Sequence, residues 1–451
     1  MLTNIPVYRG RNILMPGAEF LANPYRFTTT TGRQLGRLYN IPFLFRRIFV
    51  ISDLDAIAHV LQRNPRNYVK SPAYRQLRLA LGNGLVTNEG ESWFRQRRLI
   101  QPAFHKTRLQ TLFADMGRAA EDYCRRLQTK ACPDEPIDVA VEMMEATAGI
   151  VLRTLFSTDN PADIAEMYRI MTEAQEYIIQ RTVRPYLIPW YHLSGRHRRF
   201  RRDMRWFDEQ LFQLVEQRRR LPERDRPHDL LTLLLESRYE DTGQPMDDQQ
   251  LRDEAVTLFA AGHETSANGL TWTLYLLSQH PREVQKLRAE VDAVLADRTP
   301  SWEDLERLQY TKQVVQEGLR LFPPAYAVGR EPIQDDLILG HRIPAGSVVF
   351  IAIAAVHRDP AWYERPDAFY PDHFLPEVEK HRPRLAWMPF GAGPRFCIGA
   401  QFALMEMQLL LAMLIRRFDF ELVPGHPVEP EPLITLKPRF GMRMYVRPRR
   451  S

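Results

Sequence analysis

Apolar residues return every three or four positions over residues 139–156, 203–220, 247–278 and 281–297. That spacing lines them along one face of an α-helix, so four amphipathic helices are predicted there. A fifth is predicted over about 400–417, directly after a glycine-rich turn. Beyond Pro323-Pro324 the period shortens, and 336–339 and 347–354 read as strands joined by Ile343-Pro344-Ala345-Gly346, where proline presets the turn. Strand-like segments also lie near both ends. No repeat or low-complexity linker divides the chain. One domain over 1–451 is therefore expected, mainly α with small β-sheets. Its helix-rich core is placed at about 82–325 and 395–418, with β-rich segments at about 40–52, 326–355 and 418–449. The stretch Pro185-Tyr186-Leu187-Ile188-Pro189-Trp190 is expected to be an apolar, proline-bounded loop: a packed connection in the simpler reading, a lid or shallow membrane contact in the other.

With 451 residues, 44% of them hydrophobic and 26% charged, the chain is long enough for a large buried core. Its mean hydropathy of -0.37 is that of a globular chain rather than a disordered or membrane-embedded one. No run approaches the ~18 apolar residues of a membrane span, and Met1 to Gly10 lacks the basic-then-apolar order of a signal peptide. The expectation is a cytoplasmic protein without a span, with peripheral membrane contact left open. The net charge of +6 is compatible with an acidic partner, but it does not select one. The sharpest basic run, Arg196-His197-Arg198-Arg199-Phe200-Arg201-Arg202, lies beside a helical pattern without nucleic-acid motifs. It reads as a solvated helix face, and no nucleic-acid partner is expected.

Three cysteines exclude a disulfide scaffold, and Cys124 and Cys132 read as ordinary packed or surface thiols. Cys397 differs. It sits in Phe390-Gly391-Ala392-Gly393-Pro394-Arg395-Phe396-Cys397-Ile398-Gly399, just ahead of a predicted helix. Glycine allows positive φ and close approach to a flat ligand, while the helix start favours a thiolate. A lone thiolate makes a poor zinc site but suffices as an axial ligand of haem. Three further patterns accompany it. Glu317 and Arg320 stand three apart on a helix, where they can pair. Ala260-Ala261-Gly262-His263-Glu264-Thr265-Ser266 puts glycine and a side-chain hydroxyl inside a long helix. Trp93 and Arg97, four apart, share one helix face. Taken singly, each has a plainer reading: a buried cysteine, a surface salt bridge, helix packing with a cap, an exposed basic helix.

Together these residues resemble the cytochrome P-450 family, of the soluble bacterial type, from roughly Gly82 to the last strands. The match lies in Phe-x-x-Gly-x-Arg-x-Cys-x-Gly, Glu-x-x-Arg, Gly-x-Glu-Thr and Trp-x-x-x-Arg. The resemblance implies the fold of that family and a haem b (iron protoporphyrin IX) whose iron is ligated by Cys397. It implies that Trp93, Arg97, Arg330 and Arg395 donate to the haem carboxylates, and that Ala261, Phe390 and Gly399 lie against the ring. Glu264 and Thr265 are then expected to deliver protons, Glu317 and Arg320 to lock the core, and Tyr326, Ala327 and Val328 to line the substrate pocket. The implied reaction inserts one oxygen atom of O2 into a hydrophobic substrate of the fatty acid, terpenoid, carotenoid or steroid class. No Gly-x-Gly-x-x-Gly nucleotide fingerprint stands at a strand-to-helix turn, so electrons are expected from a ferredoxin or flavodoxin with its reductase. Arg98, Lys106 and Arg416 are candidates to steer that partner. The chain departs from the family at Pro371-Asp372-His373-Phe374, where an arginine usually stands at the place of His373. A haem sensor and a peroxide-driven relative remain the alternatives, and neither needs the Glu264-Thr265 pair.

Overall fold

The computed structural model describes residues 5–8, 10, 17–43, 46–132, 134–157, 161–183 and 185–449. It is mainly helical with small sheets, built around a 31-residue helix, Asp248–Ser278. Asp247 caps that helix, its side chain accepting from the Gln250 N–H at 2.7 Å. Most of its faces are buried, as expected of a helix running through a core. Val139–Phe156, Gln309–Leu321 and Ala400–Arg417 pack on it. Contact with Gln309–Leu321 is close because Gly318 faces Thr273: a Cβ at Gly318 would lie 2.1 Å from the Thr273 hydroxyl. Trp272, fully buried, stacks on Phe322 at 4.2 Å and donates its indole N–H to the Leu436 carbonyl.

A five-stranded sheet lies beside the helices in the order Leu38–Phe43, Arg46–Ile51, Val348–Ile351, Val328–Pro332, Tyr68–Lys70. Arg46–Ile51 and Val348–Ile351 run parallel, and the other pairs are antiparallel. The end of the chain forms a three-stranded sheet of Ile137–Asp138, Arg443–Pro448 and Phe418–Leu422.

The periodicity located Val139–Phe156 to the residue, and the helix expected at about 400–417 is Ala400–Arg417. Elsewhere the outcome differs. The helix predicted from 203 begins at Arg196, because its first turn carries exposed arginines that give no apolar signal. The strand predicted over 347–354 stops at Ile351, and Ile353–Val356 turns helical. Residues 185–193 are not a packed loop but a 3-10 turn followed by the helix Ile188–Leu193, whose Trp190 and Leu193 point outward. Among the described residues no helix is long and apolar enough to cross a membrane.

Candidate active site

Residues 390–399 form a tight loop ahead of Ala400–Arg417. The Cys397 N–H donates to the Phe390 carbonyl at 2.9 Å, and the Phe396 N–H to the Gly393 carbonyl at 3.0 Å. Gly393 has φ 70°, and a Cβ there would lie 1.8 Å from the Leu61 carbonyl oxygen, so only glycine fits. Burial raises the pKa of the Cys397 thiol, while the Gly399 N–H and the Arg97 guanidinium oppose that rise by favouring the thiolate. Cys397 is a free cysteine on the wall of a cavity of about 340 Å3.

On the Cys397 side that cavity is bounded by Phe390, Gly399 and Phe402, and the long helix contributes Ala261, Gly262 and Thr265. The Thr265 hydroxyl donates to the Ala261 carbonyl at 2.8 Å, and the helix continues unbroken past it. A Cβ on Gly262 would come within 3.2 Å of Val151, so packing and access to the cavity both favour a small residue there.

Cations collect on the same lining: Lys70, Arg97, Arg330 and Arg395. The five-stranded sheet explains two of them, since Lys70 and Arg330 are direct cross-strand partners. Arg395 lies over the Trp93 ring at 4.4 Å and pairs with Glu89, the carboxylate of this cluster. Burial, then Arg395, lowers the Lys70 pKa to about 7. Four cations beside one carboxylate, next to a free cysteine and a glycine-lined wall, form a donor set that fits a flat dianionic group with a metal at its centre.

Three expectations change with this geometry. The Trp93 indole N–H donates to the Leu85 carbonyl at 3.1 Å, so Trp93 serves as a wall under Arg395 rather than as a donor into the cavity. Glu264 does not share the cavity with Thr265. Neighbouring residues on a helix point about 100° apart, and the Glu264 carboxylate instead accepts from Gln175 at 2.5 Å and Thr435 at 2.7 Å. Of the three expected pocket residues Val328 lines the cavity, but Tyr326 and Ala327 do not. Both precede the strand Val328–Pro332, and the Tyr326 hydroxyl donates to the Leu433 carbonyl, outside the lining.

The family model for cytochrome P-450 matches residues 11–442. The chain belongs to the cytochrome P-450 family. It is a haem b monooxygenase by that membership. Cytochrome P-450 132 of Mycobacterium bovis is 36% identical over 90% of this chain and 88% of its own length. Cyclooctatin synthase of Streptomyces melanosporofaciens is 37% identical, over 81% and 79%. The crystal structure of the cytochrome P-450DA heme domain superposes with a TM-score of 0.90 at 25% identity, covering 100% of this chain and 99% of that one.

Behind the cavity of this P-450, Arg320 donates to both Glu317 oxygens at 2.7 Å, and both side chains are fully buried. The remaining guanidinium bonds go to the carbonyls of His357, Pro366 and Ala368. His373 takes the third place: its Nδ1 lies 3.2 Å from Glu317. Motif reading missed His357, Lys70 and Tyr74. His357 accepts from the Met388 N–H through Nε2, joining the Arg320 network to the approach of the cysteine loop. Lys70 and Tyr74 reach the cavity only through sheet pairing and the turn that follows it, and nothing local in the sequence marks them.

On the other side of Cys397 a groove of about 880 Å3 carries Arg97, Lys380, Arg382 and Arg384. Arg98, Lys106 and Arg416 are not on it. Arg98 pairs with Glu240, Lys106 lies 3.9 Å from Glu306, and Arg416 binds the carbonyls of Ala296 and Arg298 at the far end of its helix.

Proposed function

We propose that this P-450 oxygenates a neutral terpenoid-class substrate, with electrons from a ferredoxin or flavodoxin and its reductase. The observation that carries the reading is the cavity lining. Outside the cation cluster it is mostly apolar, with Leu85, Val86, Val151, Leu155, Leu258 and Val328 beside the hydroxyls of Tyr74, Thr257, Thr265 and Ser266, and among the described residues it holds no further charge to fix a fatty-acid carboxylate. Cyclooctat-9-en-7-ol 5-monooxygenase of Streptomyces melanosporofaciens, 34% identical over 80% of this chain, supports that class.

Haem b, when bound, supplies the oxidising chemistry on O2. In this assignment Cys397 Sγ would hold the haem iron, with the Gly399 N–H favouring its thiolate. Lys70, Arg97, Arg330 and Arg395 would receive the haem carboxylates, and Ala261, Phe390 and Gly399 would bound the ring. Thr265 Oγ1 offers a proton at the cavity after exchanging its bond to the Ala261 carbonyl. Burial raises the Glu264 pKa and so favours a protonated carboxyl there. The groove behind Cys397, with Arg97, Lys380, Arg382 and Arg384, suits an acidic electron carrier.

The test is turnover of the reconstituted enzyme with NADH on a panel of diterpene alcohols, fatty acids, carotenoids and steroids. Products carrying one added oxygen atom are expected from the terpenoids first. Turnover of fatty acids alone would overturn the substrate class, and turnover with peroxide but not with a carrier would overturn the electron route.

A further inference from the structure

Between the short helix Arg78–Leu81 and the helix Gly90–Ile100 the chain runs through turns, and this stretch puts Leu85 and Val86 on the cavity wall. A buried stretch outside helix and strand must find partners for its peptide groups elsewhere. The long helix Asp248–Ser278 supplies several of them. Arg252 donates to the Ala80 carbonyl at 2.9 Å, Asp253 accepts from the Asn83 N–H at 2.6 Å, and Glu254 accepts from the Leu85 N–H at 3.0 Å. The approach is close: a Cβ at Gly84 would lie 2.6 Å from the Asp253 carbonyl oxygen.

Other elements grip the same stretch from its carbonyl side. Lys70 donates to the carbonyls of Leu85 at 3.3 Å and Asn88 at 2.5 Å, and the Trp93 indole also ends on the Leu85 carbonyl. Both peptide groups of Leu85 are therefore held by side chains, the N–H by Glu254 and the carbonyl by Lys70 and Trp93. Glu254 is fully buried, lies outside the cavity lining, and is steadied by Gln250, which donates to its other oxygen at 2.8 Å. Burial raises the Glu254 pKa from 4.5 to about 7, while the bonds from Leu85 and Gln250 oppose that rise. An uncharged acceptor of the same shape can keep the bond to Leu85. An apolar side chain would leave the Leu85 N–H buried and unpaired.

We propose that Glu254 is a positioning residue: through the Leu85 N–H, with Lys70 and Trp93 holding the Leu85 carbonyl, it sets where Leu85 and Val86 stand and so which apolar ligands the cavity accepts. Arg252 and Asp253 hold peptide groups of Ala80 and Asn83, neither of which lines the cavity, so the assignment falls on Glu254. It rests on this cavity being the substrate site and not on the substrate class.

The test compares the haem-loaded, full-length wild type with Glu254→Gln and Glu254→Met. Amide hydrogen exchange is resolved over residues 82–88, and the affinity for phenylimidazole is read from the haem absorption shift. The wild-type Leu85 amide should be protected. In the methionine variant, loss of a buried hydrogen bond should speed exchange over this stretch roughly tenfold while leaving the rest of the molecule unchanged. Its phenylimidazole affinity should change by about threefold or more, as part of the same free energy appears in binding. Glutamine should restore both readouts to near the wild-type values. Rapid exchange of the Leu85 amide in the wild type overturns the proposal, as does a glutamine variant that behaves like the methionine one. Faster exchange with an unchanged phenylimidazole affinity would make Glu254 a structural residue only, and overturns it as well.

Discussion

Replacing Arg320 by methionine tests how firmly the core behind the cysteine loop depends on one buried pair. The guanidinium makes two 2.7 Å bonds to Glu317 and three more to the carbonyls of His357, Pro366 and Ala368, at 2.8, 2.6 and 2.8 Å. Methionine keeps most of the volume but leaves the Glu317 charge with only the Tyr370 N–H and the long His373 contact. Breaking one side of a buried ion pair costs about 3–5 kcal/mol, and the three stranded carbonyls add to that. A loss of at least ~4 kcal/mol is expected in urea unfolding, followed by circular dichroism and by haem release. Glu317→Leu in the same chain removes the stranded charge. The double variant should then be less destabilised than the sum of the singles by about 1–3 kcal/mol. A loss under about 1 kcal/mol for Arg320→Met, as an exposed pair would give, or strict additivity in the cycle, would refute this reasoning.

Thr265→Ala should leave substrate binding intact while sending a larger share of consumed NADH to hydrogen peroxide; an unchanged product-to-NADH ratio, with only stability altered, would reduce Thr265 to a helix residue. Val328→Phe should shift the site of oxidation or the affinity for substrate, whereas Ala327→Val, outside the lining, should leave product ratios nearly unchanged. Glu406 is fully buried beside Ser266, and burial pushes its pKa from 4.5 up to about 8 against the opposing pull of that hydroxyl. A pKa raised in the folded state favours the protonated form, so this contribution is complete below about 4.5 and is lost as pH rises through about 8. Relative to wild type, Glu406→Gln should therefore gain stability by up to about 1.4 kcal/mol per pH unit between those limits, and parallel stability–pH curves would contradict that.

The site was legible where its chemistry is compressed into contiguous residues. Gly391, Gly393 and Cys397 each need their neighbours for a local backbone reason, so the loop announces itself. Asp248–Ser278 is similarly plain, because a core helix advertises its length. What escaped depends on distant partners. Lys70 enters the cavity because its strand pairs with Arg330, some 260 positions away in the chain. Glu264 turns away from Thr265 because Gln175 and Thr435 receive it, and neither bears any sequence relation to the Glu-Thr motif. His373 keeps the contact with Glu317 through a shorter side chain, which a motif written for arginine does not reveal. The Ile188–Leu193 helix was hidden by Pro189, which reads as a loop residue but sits in the first turn, where its missing N–H does no harm.

The central claim is that Cys397 supplies the thiolate ligand of the haem iron. The reduced, carbon-monoxide-bound absorption spectrum of the wild type and of Cys397→Ser tests it most directly. The wild type should show the thiolate-type Soret band, and the serine variant should lose it while keeping helical content by circular dichroism, because a hydroxyl oxygen donates far less to iron. A serine variant that retained the thiolate-type band would contradict the assignment of Cys397 and the site built around it.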